Sequence, residues 1–174
     1  MLVRAEELWR LLIEKGQQED ENFEQSLYLQ PGATDEQLDQ LENTLGVTLP
    51  EELKCFYRIH NGQDWKIGSS AIINNLTLMP ISQIIDTWTF LQEEFDPGDD
   101  LIPEIEETIK PVLWNPKWIP IAENGGGDNL CLDTDPTEFG TLGQVISYWH
   151  DCGDRSTRAK SLFAFIENYL NEVD

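Results

Sequence analysis

Apolar residues recur at helical spacing in the first half of the chain and in short runs in the second, and this change of period predicts the order of elements. Leu8, Trp9, Leu12 and Ile13 share one face of a helix that stops near Gly16. Residues 17–33 are polar and carry no clear period. Thr34 followed by Gln37 forms a capping box, in which the threonine oxygen accepts from a free backbone N–H and the glutamine reaches back to the cap. Leu38, Leu41 and Leu45 supply the buried stripe of that helix, and Gly46 its left-handed stop. Pro50 suits the first position of a further helix, since its missing N–H costs nothing there. Leu53, Phe56, Tyr57 and His60 fall on one face of it before Asn61-Gly62, so the two helices are expected to pair as a hairpin.

From Ala71 to Met79 the β-branched residues predict strand, with Asn74-Asn75 offering a turn inside it. Ile84, Trp88, Leu91 and Phe95 return to helical period after Pro80. Residues 96–111 hold Pro97, Pro103 and Pro111 among many acids and read as a solvated loop. Trp118–Ala122, Leu130–Asp133 and Val145–Trp149 are short apolar runs parted by Gly, Asn, Asp and Pro, the pattern of an antiparallel meander. A sheet needs cover, and Leu162, Phe165, Ile166, Tyr169, Leu170 and Val173 recur at the spacing of a helix that provides it. The expected class is α+β: an N-terminal helical hairpin, an antiparallel meander and a C-terminal helix packed on the sheet. Residues 1–33 read as a helix and polar connection, and 34–174 as one domain.

Charge narrows the function. Eleven basic against 33 acidic side chains give a net charge of −22 over 174 residues. Such a surface repels phosphate, so no direct nucleic-acid partner and no anionic membrane face is expected. Six tryptophans, seven phenylalanines and four tyrosines demand burial, which argues against disorder. Cys55, Cys131 and Cys152 are odd in number and lack CxxC spacing, as expected of reduced thiols in a cytoplasmic setting. Glu6 and Glu7 interrupt what would be a signal-peptide core, and no stretch approaches the roughly 18 apolar residues of a membrane span.

The candidate chemistry is sparse. Glu123-Asn124-Gly125-Gly126-Gly127-Asp128-Asn129 has neither the GxGxxG spacing of a dinucleotide loop nor the lysine of a triphosphate loop, and reads as a hairpin turn. Asp128, Asp133 and Asp135 offer hard oxygens of the type calcium takes, yet the EF-hand order is absent and solvated turn residues are the simpler reading. No zinc or cysteine–histidine set can be assembled from His60, Cys55, His150, Asp151 and Cys152. His60 shares its face with apolar residues and reads as a half-buried histidine with a local hydrogen bond. HExxH, GxSxG and SxxK are missing, so no enzyme and no cofactor is expected; a hydrolase built on Asp128, Asp133 and His150 is a weaker alternative. Asn61-Gly62-Gln63-Asp64-Trp65 sets an aromatic beside acid and amide groups, which fits a protein interface, although Trp65 fits a core plug equally well. Asn61, Asp64 and Trp65, with Gly127, Asp128, Asn129, Asp133 and Asp135 of the hairpin region, are the candidate partner-binding residues. The acids of 93–107 would speed encounter with a basic partner.

TLPEELKCFYRIHNGQD, then PKWIPIAENGGGDNLCLDTDP, then GQVISYWHD and SLFAFIENYL, taken in order, resemble the SUKH family over about residues 34–172. That family includes Smi/Knr-type regulators of fungal cell-wall (glucan) synthesis and bacterial immunity proteins that neutralise toxins. The resemblance implies a binding protein without catalytic residues. Joined to the charge, it suggests an immunity protein docked on a basic, nuclease-like cognate toxin, with a regulator of cell-wall synthesis as the alternative. The helix of residues 1–16 and the proline-containing acidic insert have no counterpart in the resemblance.

Overall fold

The structure, a computed structural model, describes residues 1–95 and 104–172. Six helices and five strands are described: α1 (Leu2–Gln17), α2 (Phe23–Leu27), α3 (Asp35–Leu45), α4 (Glu51–Ile59), β1 (Thr77–Leu78), α5 (Ile81–Glu94), β2 (Trp118–Glu123), β3 (Asn129–Asp133), β4 (Gln144–Tyr148), β5 (Arg155–Ala159) and α6 (Leu162–Asn171). The strands form one antiparallel sheet in chain order, a meander as the spacing of apolar runs predicts. Part of the expected acidic loop, residues 96–103, and Val173 of the last helical stripe lie outside the described residues.

The capping box is present: Gln37 N donates to Thr34 Oγ1 at 3.2 Å and Thr34 N to Gln37 Oε1 at 2.9 Å. Gly46, at φ +66°, closes α3. Pro50 precedes α4 as its cap, one residue earlier than expected. Lys54–Glu42 at 2.9 Å and Arg58–Asp35 at 3.2 Å tie α3 to α4, while the broad packing of each is elsewhere, α4 on α1 and α3 on α5. Gly62 can only be glycine: its φ is +67°, and a Cβ there would stand 2.5 Å from the Met79 carbonyl carbon.

Both faces of the sheet are covered, where the apolar pattern points to one. Ile119, Ile121, Leu130, Leu132 and Val145 join α1, α3, α4 and α6 in the main core. On the other face Trp118, Cys131, Ile146 and Tyr148 pack under Leu91 of α5 and under Ile109 and Trp114 of the segment before β2. Burying both faces explains why β2, β3 and β4 read as nearly unbroken apolar runs. β5, Arg-Ser-Thr-Arg-Ala, escapes the sequence pattern because it carries a single β-branched residue and two arginines. Its outer edge is occupied: Glu106 N donates to the Arg155 carbonyl and Thr157 N to Glu106 Oε2.

Candidate functional site

The β2–β3 turn is built from side chains that bond their own backbone. Asn124 Oδ1 accepts from Gly126 N at 2.8 Å and Asp128 N at 3.3 Å, and Asn124 Nδ2 donates to Asp128 Oδ2 at 3.0 Å. Asp128 Oδ1 accepts from the backbone N–H of His150 at 3.0 Å and lies 2.9 Å from its Nδ1, which ties the turn to the end of β4. On its other side His150 Nε2 stands 2.8 Å from Asp151. Gly127, at φ +98°, leaves room for the imidazole, since a Cβ would approach its Cγ to 3.1 Å.

This bonding sets the protonation of the pair. The hydrogen bond that its ring N–H donates to Asp128 raises the His150 pKa above its ordinary 6.5, against some loss of solvent, with Asp151 adding to the rise. Burial works against ionising Asp128, but the bonds from His150 and Asn124 outweigh it and the carboxyl titrates below its ordinary range. A raised histidine pKa contributes stability that is fully present below about pH 6.5 and lost as the pH rises through the folded-state value. His150 should therefore lose its proton at a pH above the ordinary imidazole value of 6.5. Asp128→Asn should bring the His150 midpoint back toward 6.5, as an NMR titration would read; a wild-type midpoint at or below that value would contradict the pairing.

Asp133 and Asp135 do not join this group, for they lie at the far end of β3. Asp133 is fully buried and accepts from Gln144 Nε2 and Asp135 N, both at 2.9 Å; burial pushes its carboxyl above the ordinary range. Asp135 is held low by Lys110 at 2.6 Å and by Asn115 at 3.0 Å. Asp133 is thus not the solvated turn residue its sequence context suggests, and the weaker alternative of a hydrolase built on Asp128, Asp133 and His150 is split along a strand.

Other candidates turn inward. Asn61 is buried and its Oδ1 accepts from Ile81 N at 2.9 Å, so it caps α5. Asn129 is buried and donates to the Ala122 carbonyl. These side chains and that of Asp133 are spent inside the fold, because polar groups beside apolar strands must be paired once the sheet is covered on both sides. His60 is half-buried with Nδ1 3.0 Å from the Gln30 carbonyl, as its apolar face predicts.

Trp65 lies on the surface, 58% exposed, so it does not plug the core. Ile67 at 94% and Tyr28 at 41% accompany it. The loop is anchored beneath by Gln63, which is fully buried and bridges Leu27, Ser70 and Leu78. Tyr28 adopts φ +50°, a left-handed backbone uncommon for an aromatic residue, with its carbonyl accepting from Asp64 N and Lys66 Nζ 4.9 Å above its ring. Asp64, paired with Lys66 at 3.4 Å, completes this exposed aromatic patch.

A second surface feature was not legible as a site in the sequence. Beside the Asp128 turn a cleft of about 410 Å³ is lined by Asn74, Asn75, Asn124, Asp128, Trp149 and Arg158 and walled by Phe165, Asn168 and Tyr169 of α6 and by Glu172 at its end. Asn74-Asn75 is the turn expected within residues 71–79, with Asn74 at φ +52°.

Comparison with known proteins places this architecture. The chain is 28% identical over 162 residues to the "Cell wall biosynthesis/cell cycle regulator smi1" of Schizosaccharomyces pombe, covering 85% of the chain and 32% of that protein. It is 25% identical over 173 residues to the "Glucan synthesis regulatory protein" of Neurospora crassa, covering 78% of the chain and 32% of that protein. A shorter stretch of 53 residues is 43% identical to human "F-box only protein 3", covering 28% of the chain and 11% of that protein. The chain spans about a third of the length of these fungal relatives. The model of the "SMI1 / KNR4 family (SUKH-1)" matches residues 32–168, most of the chain, which therefore belongs to that family.

Proposed function

We propose that the chain is a protein-binding module with a regulatory role in cell-wall or glucan synthesis, working by docking and not by catalysis. The observation that carries this reading is the family match, whose fungal members are named as regulators of cell-wall and glucan synthesis. The surface is consistent with it. Trp65, Ile67 and Tyr28 form the kind of aromatic and aliphatic anchor on which binding energy concentrates. The net charge of −22 favours a basic partner, and that charge is also what speaks for the second reading, inhibition of a basic toxin.

Deleting the gene in its own organism should sensitise growth to agents that stress the cell wall, and the intact chain should restore tolerance. Trp65→Ala should keep the wild-type melting temperature, because the ring is exposed, and weaken partner binding about 30-fold, the measure of a lost ~2 kcal/mol anchor. Normal wall-stress tolerance in the deletion strain, together with rescue of cells poisoned by a toxin encoded beside the gene, would replace the regulatory reading by the inhibitory one.

A further inference from the structure

The cleft beside the Asp128 turn does not end at α6. A second cleft, of about 420 Å³, is lined by Lys15, Gly16, Glu19, Asp20, Phe23, Ser70 and Ala71, and the two share Asn74, Tyr169 and Glu172. Together they make one open trough along the C-terminal half of α6, from the end of α1 to the tip of the β2–β3 hairpin. We propose that this trough seats an extended peptide segment of a partner protein that carries a basic residue at one end and an acidic residue at the other. The proposal rests on the protein-binding reading above and assigns it a surface distinct from the Trp65 patch.

Three features carry it. First, the walls are held in place before any ligand arrives. His150 and Asn124 fix the hairpin side through Asp128, and Lys15 Nζ bridges α1 to α6 by lying 3.3 Å from the Glu172 carbonyl and 5.2 Å from the centre of the Tyr169 ring. Pre-organisation of this kind removes an ordering cost from binding. Second, the carboxamides of Asn74, Asn75 and Asn168 make no hydrogen bond to another described residue, although they face the same trough. Each presents donors and an acceptor side by side, which matches the alternating N–H and C=O of an extended main chain. Third, the charge is polarised. At the α1 end Glu19, Asp20 and Glu172 face one another, and the only cation there, Lys15, is committed to a carbonyl and a ring face. At the hairpin end Asp128 is committed to His150 and Asn124, while Arg158 is exposed and has no carboxylate within 4.0 Å among the described residues. A lysine or arginine side chain is therefore favoured at the α1 end and a carboxylate at the hairpin end, so the segment is read in one direction.

The test is selection from a displayed library of random linear dodecapeptides on the full chain, followed by affinity measurement of the selected peptides. Peptides with a basic residue toward one end should be enriched. Asn75→Trp, which fills the trough, and the pair Glu19→Lys with Asp20→Lys should each weaken them at least tenfold. Trp65→Ala should leave them unchanged. All the altered positions are exposed, so each variant should keep the fold, which circular dichroism checks. Failure to select any peptide, peptides indifferent to the trough substitutions, or binding of a glucan oligosaccharide in their place would overturn the proposal. A photo-crosslinking residue introduced in cells at Asn75 or at Trp65 separates the two levels of inference. A protein captured from position 65 but not from 75 keeps the protein-binding reading and removes the trough; capture from neither removes both.

Discussion

Arg155→Met should cost about 3–5 kcal/mol of stability, which for a chain of this size is a fall in Tm of roughly 10 °C. Arg155 is 2% exposed, yet no carboxylate lies within 4.0 Å of it among the described residues. Its charge is held by carbonyls and ring faces instead. Nε and Nη2 donate to the Leu113 carbonyl at 3.2 and 2.7 Å, and Nη1 donates to those of Cys152 and Asp154 at 3.0 and 2.8 Å. The guanidinium carbon stands 4.2 Å from the Tyr148 ring centre and 6.0 Å from that of Trp118. Burial lowers the arginine pKa, and the neighbouring Tyr148, Cys131, Cys152 and Asp154 work the other way. Methionine would fill much of the same volume but leave several carbonyls unpaired, each at about 1–3 kcal/mol if water cannot reach it. Lysine keeps the charge and loses the planar fork, so Arg155→Lys should lie between wild type and Arg155→Met. Arg158→Met, three residues along and exposed, should stay within about 0.5 kcal/mol of wild type. A denaturant titration of the three variants checks the order; equal stability of Arg155→Met and Arg158→Met would show that the buried fork contributes nothing net.

That arginine also shows where sequence reading stops. The capping box at Thr34, the stop at Gly46, the hairpin at 123–129 and the stripe of α6 depend on residues a few positions apart, so they can be read locally. Arg155 in an edge strand reads as a solvated charge. It is buried because the segment around Leu113, some 40 residues earlier, folds over that face of the sheet. Asp133 is misread as a surface acid for a related reason. Its alternation with Leu132 and Cys131 puts it on the same covered face as Trp118, but only the cover makes that position interior. The trough presents the same difficulty in a functional setting, since the turn that carries Asn74 lies some 80 residues before the strand of Arg158 and the helix of Asn168. Asn74-Asn75 carried one signal, that of a turn. Trp65 was legible as an interface candidate from its neighbours, but its exposure was not.

The family match begins at residue 32, while α1 lies before it, and Trp9 measures how far that helix belongs to the fold. Ala5, Leu8, Trp9 and Leu12 are buried in the same core as α3, α4 and α6. Trp9 stacks on Phe56 with ring centres 4.4 Å apart and meets His60 edge-on at 4.9 Å. Its Nε1 donates to the Phe56 carbonyl at 2.9 Å. That carbonyl belongs to the last turn of α4, where no intrahelical donor follows, and the next one, of Tyr57, accepts from Ala33 N at 2.8 Å. The indole thus closes the end of α4 as well as filling the core. Trp9→Ala removes the ring, opens a cavity and frees that carbonyl, so a loss of about 3–5 kcal/mol is expected from chemical denaturation. Trp9→Phe keeps the stack and loses the hydrogen bond, and should recover more than half of it. The consequence reaches the trough, because Lys15 and Gly16 at the end of the same helix line its acidic end. If α1 is integral, Trp9→Ala should lower thermal stability and weaken the peptides selected on the trough, while Arg155→Met, on the opposite face of the sheet, should lower stability alone. Wild-type stability in Trp9→Ala would instead mean that α1 rests on a domain complete without it.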